Sequence, residues 1–122
     1  MKFLILSLFS LSAHAVTVEF AKDSIVPRRF REAMRNTIED QCFKKDLVLV
    51  ENESVEDFQN LFDGAWLKVY GSDFNVSYSE NGRIVTGKNL VLRGEQGFDQ
   101  QYGWSKTVNA RITWNDDKVC RD

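Results

Sequence analysis

The second half of the chain alternates. In "WSKTVNARITW" (Trp104 to Trp114), Val108, Ala110, Ile112 and Trp114 point one way while Thr107, Asn109, Arg111 and Thr113 point the other. A period of two marks a β-strand with one buried and one wet face. The same alternation runs through "FNVSYS", where Phe74, Val76 and Tyr78 share a face, and Asn81-Gly82 follows. That dipeptide accepts the positive φ of a two-residue hairpin turn. "AWLKVYG", "RIVTG" and "NLVLRG" are further strands around it. Such a chain is committed to a mostly antiparallel sheet, and a sheet with one apolar face needs a layer to cover it.

The covering layer is readable upstream. In "PRRFREAMRNTIEDQ", Phe30, Ala33, Met34, Thr37 and Ile38 recur at helical spacing. Pro27 suits the first turn, where its missing N–H has no partner to lose. Val16, Val18 and Phe20 alternate ahead of this helix, and "DLVLV" (Asp46 to Val50) is a strand after it. Further on, Ser54 and Asp57 resemble a capping box. Val55, Phe58, Leu61 and Phe62 then share a helical face that Gly64 can end. The pattern therefore predicts an α+β fold: one main amphipathic helix packed on a mostly antiparallel sheet of about five or six strands, plus a short second helix.

The first fifteen positions read differently. Lys2 supplies a positive start, Phe3 to Leu11 an apolar run, and Ala13-His14-Ala15 the small-x-small pattern of a signal-peptidase site. Thr17 and Glu19 arrive too soon for the roughly 20 apolar residues of a membrane span. The expectation is a secretory signal peptide over 1–15, a single α+β domain over 16–122, a secreted or periplasmic location, and no integral membrane segment after processing. In an oxidising compartment the two cysteines, Cys42 and Cys120, are expected to form a disulfide. They lie 78 positions apart. Closing a loop of that length stabilises a fold by about 4.5 kcal/mol on the chain-entropy account.

Chemistry is harder to place. The only histidine, His14, belongs to the leader, so Ser-His and Cys-His nucleophile systems and a His-ligated metal have no residues to use. Asn115-Asp116-Asp117 lacks the spaced ligands of a calcium loop and reads as a turn. No catalytic residue, metal or cofactor is expected, and the acidic balance, net −2 at pH 7, does not suit a nucleic-acid partner. Two features suit binding. Arg28, Arg31 and Arg35 form a stripe on the first helix, placed against the helix dipole, where Glu32 can pair with Arg28 and Arg35, and Glu39 with Arg35, or an anionic partner can dock. "GEQGFDQQYGW" reads as a polar loop presenting Phe98, Tyr102 and Trp104 to a sugar or an extended peptide.

The fragment "RIVTG", Arg83 to Gly87, resembles the QxVxG hairpin of the cystatins, with Arg83 in the glutamine position. A helix followed by antiparallel strands is similar to their architecture. The chain has neither the N-terminal glycine segment nor the Pro-Trp second hairpin of that family. What the resemblance implies is inhibition of a protease or hydrolase. The expected function is a small exported, non-catalytic binding domain with a protein or glycan partner, anionic where it meets the arginines. An inhibitor of cystatin-like architecture and an envelope structural or assembly component are the alternatives.

Overall fold

A computed structural model describes residues 15–43 and 45–120. Apart from Ala15, the expected signal peptide lies outside the described residues. The elements follow in the order β1 (Val16–Glu19), α1 (Arg28–Gln41), β2 (Leu47–Phe62), β3 (Ala65–Glu80), β4 (Arg83–Asp99), β5 (Gly103–Trp104) and β6 (Asn109–Asn115), with a turn of 3-10 helix at Asp116–Lys118. They make one six-stranded sheet curled as a half-barrel with one helix. β1 and β2 are parallel, as a crossover through a helix requires, and every other pairing is antiparallel.

The helix forms where the apolar spacing predicts it. Phe30, Met34 and Ile38, one turn apart, are its buried residues. They pack with Leu47, Leu49, Phe74, Val76, Leu90 and Leu92 from the sheet. Phe30 meets Tyr70 at 4.7 Å between ring centroids, and Phe20 meets Phe74 at 5.5 Å. Gly94 lets the helix approach this closely. A Cβ there would lie 2.9 Å from Phe30 Cδ2 and 3.4 Å from Met34 Cε, so a side chain would push the helix off β4.

A buried carboxylate and a disulfide complete the core. Glu51 is buried, and it accepts the Ser72 hydroxyl at 2.7 Å and the Ala21 amide at 3.2 Å. A carboxylate taken from water needs such donors, or it costs several kcal/mol, of order 1–3 per missing bond. Cys42 and Cys120 are disulfide-bonded, tying the end of α1 to the C-terminal turn.

The predicted second helix does not exist. Residues 54–62 are the far half of β2, paired with β3 through to Phe62↔Ala65. Asp63-Gly64 also makes a two-residue connection, with only Gly64 at positive φ (76°), whereas in Asn81-Gly82 both residues adopt it. The helical spacing of Val55, Phe58 and Leu61 competes with a two-residue turn that delivers β3 directly alongside, and the ladder wins. Trp114 is a second correction. Val91 pairs with Trp114 and Leu92 with Ile112, so Thr113 is a bulge residue. The extra residue turns Trp114 away from the face that Ile112 occupies and leaves it 59% exposed.

Candidate functional site

Three strands outrun the helix. β2, β3 and β4 are 16 or 17 residues long, and α1 spans 14 at the much shorter helical rise. The sheet face that α1 covers at Phe74 and Tyr70 therefore continues into solvent. Register defines what stands there. Phe58, Lys68 and Gln96 form one row across β2, β3 and β4. Asn60, Trp66, Phe98 and Trp104 form the next, across β2 to β5.

The aromatic side chains of these rows pack on one another rather than under a second layer. Ring centroids are 5.7 Å apart for Phe58 and Trp66, 5.8 Å for Phe58 and Trp104, and 5.0 Å for Phe98 and Trp104. The Lys68 ammonium sits 4.6 Å from the centre of Trp104 and 5.8 Å from that of Phe58. A cation over a ring face is attracted to its quadrupole, which holds Lys68 at the centre of the patch. Phe58, Trp66 and Trp104 all remain exposed. At the tip, Leu61, Trp66, Phe98, Tyr102 and Trp104 line an open depression of about 310 Å³.

The stretch read as a loop is mostly strand. Gly94 to Asp99 belong to β4, and only residues 100–102 turn before β5. Asp99 Oδ1 accepts the amides of Gln101 at 2.7 Å and Tyr102 at 3.2 Å, which closes the turn, and Gly103 adopts φ 78°. Of the expected residues, Phe98 and Trp104 are brought together, and Tyr102 stands at the rim, 81% exposed. Phe58, Trp66 and Lys68 were not singled out from the sequence. Phe58 was hidden by the helical reading of its segment, and once that segment is a strand, pairing alone puts it beside Lys68.

The arginine stripe is largely engaged within the chain. Arg28 bonds Glu32 at 3.2 Å, the i,i+4 pair anticipated for a solvated face. Arg31 Nε donates to the Val26 carbonyl at 2.8 Å and its Nη2 to that of Ser24 at 3.3 Å. The guanidinium carbons of Arg31 and Arg35 lie 5.2 and 5.0 Å from the centre of the Phe20 ring. Arg29, outside the stripe, donates to the Lys106 carbonyl and anchors the approach to β6. The contacts of the stripe are with Glu32, Phe20, Ser24 and Val26, and those of the aromatic patch lie within β2 to β5.

"RIVTG" lies inside β4 beside the Asn81-Gly82 turn, at the opposite end of the sheet from Trp66 and Trp104. Among the described residues no group of three or more histidine, cysteine or acidic side chains could hold a metal ion. No helix among them is long and apolar enough to cross a membrane. No protein family, no curated protein and no solved structure matches the chain. The disulfide is compatible with a small exported domain.

Proposed function

We propose that the chain is a small exported, non-catalytic binding domain, and that it meets its protein or glycan partner on the aromatic face of β2 to β5. The observation that carries this reading is the uncovered cluster of Phe58, Trp66 and Trp104, drawn from two adjacent rows of the same sheet face that α1 buries elsewhere. A monomeric fold gains nothing by displaying such residues together, and clustered aromatics with a polar rim are what binding surfaces use. Lys68, Asn60 and Gln96 supply polar groups among the rings. Elsewhere the acidic side chains of Glu51 and Glu56 are engaged with Ser72 and Tyr70, bonds that hold the fold.

Affinity capture from the native envelope, with three forms of the folded domain immobilised in parallel, tests the reading. The parent and an Arg28→Gln/Arg35→Gln variant should retain the same partner, and a Phe58→Ser/Trp104→Ser variant should lose it. Equal capture by the parent and the aromatic variant would overturn the proposal. Loss through the arginine variant alone would move the surface to α1.

A further inference from the structure

β2 is an outer strand over most of its length. β1 pairs with it only from Leu47 to Val50. The chain leaving β1 covers the next stretch, with Ala21 donating to Glu51 and the Ile25 amide donating to Ser54 Oγ at 3.2 Å. From Val55 to Phe62 β3 lies on the inner side, and among the described residues no strand lies on the outer side. Backbone groups of an extended strand alternate between its two sides, so this stretch offers a row of N–H and C=O groups outward. The opposite edge of the sheet is managed differently. β6 is short, 7 residues, and the Thr37 hydroxyl on α1 donates to its Ala110 carbonyl at 3.0 Å.

The free edge has one sign of charge. Glu53, Glu56, Asp57 and Asp63 fall between Asn52 and Gly64 without a lysine or arginine among them. Exposed edges are ordinarily blunted by lysine, proline or a bulge; β2 bulges at Asn52, before Val55, and at Leu61, close to the end, so Val55 to Asn60 is unbroken. Exposed Val55, Phe58 and Leu61 stand between the acids. Asp57 accepts the Phe58 amide at 2.9 Å and the Gln59 side chain at 3.0 Å, bonds that favour its charged form. A second copy laid against this edge would set acid against acid, which is unfavourable across strands. A basic strand would meet opposite charge, exposed apolar side chains and outward backbone groups together, the Phe58 amide, already held by Asp57, excepted.

We propose that the edge of β2 from Val55 to Phe62 takes an extended peptide segment, with lysine or arginine between apolar residues, as an added strand of the sheet. The inference rests on the reading of the chain as a binding domain and names its mode of recognition. Main-chain bonds would supply affinity, and the acids and Phe58 the selectivity.

The test uses the whole domain and three synthetic peptides of about eight residues, a length suited to strand addition. One is a Lys-Val repeat, the second is the same peptide with every backbone amide N-methylated, and the third is a Glu-Val repeat. Calorimetric titration and amide hydrogen exchange read the outcome. The Lys-Val peptide should bind and slow exchange within Val55–Phe62, and N-methylation and the Glu-Val sequence should each weaken binding by about tenfold or more. A Glu53→Lys/Asp57→Lys variant should reverse the preference between the two charged peptides. Undiminished binding of the N-methylated peptide would overturn strand addition, as would absence of protection in Val55–Phe62. Self-association that protects the same amides without peptide would assign the edge to a second copy instead. Strand addition can fail in these ways while envelope capture still depends on Phe58 and Trp104, which separates its failure from that of the aromatic-face reading.

Discussion

Phe58 on β2 and Trp104 on β5 stand edge to face, their ring centroids 5.8 Å apart and their planes at 89°, although two strands lie between theirs in the sheet. Curvature brings them together, and no second layer covers them. Each pair of this kind adds about 0.5–1.5 kcal/mol beyond the area it buries.

Truncation should therefore separate surface from core. Trp104→Ala should lower stability by about 1 kcal/mol, the worth of its ring contacts. Phe74→Ala, which empties a fully buried site beneath α1, should cost about 3–5 kcal/mol. Urea midpoints of the two variants check this. A Trp104→Ala loss as large as that of Phe74→Ala would make the patch a second core rather than a display.

The arginines of α1 should differ among themselves. Arg31→Gln removes bonds to the Val26 and Ser24 carbonyls and a contact with Phe20, and should destabilise by about 1–2 kcal/mol. Arg28→Gln removes only an exposed pair with Glu32 and should cost under about 0.5 kcal/mol. Thermal melts of the single variants, compared at one salt concentration, decide it.

Alkaline pH should expose Tyr70. Burial first, then its hydrogen bond to Glu56 and the charge on that carboxylate, push its pKa up from 10.0 to about 12. The folded state holds the phenolic proton more tightly than the unfolded chain does. That contribution is fully present below about pH 10 and is lost as pH rises towards about 12. Tyr70→Phe has no such proton to lose, so the stability difference between parent and variant should shrink across this window. Denaturant midpoints measured along the pH series check it; a constant difference would show that Tyr70 titrates normally.

Much of this architecture was legible in the residues. Phe30, Met34 and Ile38 announced the helix, Asn81-Gly82 its hairpin, and the cysteine pair its link. What misled was local ambiguity resolved by distant partners. Val55, Phe58 and Leu61 carry helical spacing, yet Asp63-Gly64 folds β3 against them, and the same dipeptide logic used for Asn81-Gly82 was enough to find this. Gly94 looked like loop punctuation because nothing local says that Phe30 and Met34 will press on it. Arg31 looked free for the same reason, since its partners are loop carbonyls. The bulge at Thr113 has no sequence mark, and it moved Trp114 to the other face. At the site, Phe98, Tyr102 and Trp104 were visible as aromatics near glycines, whereas Phe58, Trp66 and Lys68 join them only through strand register.

Site-specific photocrosslinking in the native host tests the central claim most directly. With benzoylphenylalanine placed singly at Leu61, Tyr102 or Arg28, all three exposed and the first two lining the aromatic depression, Leu61 and Tyr102 should each yield one dominant crosslinked partner and Arg28 should yield none. A partner crosslinked from Arg28 but from neither Leu61 nor Tyr102 would contradict the account.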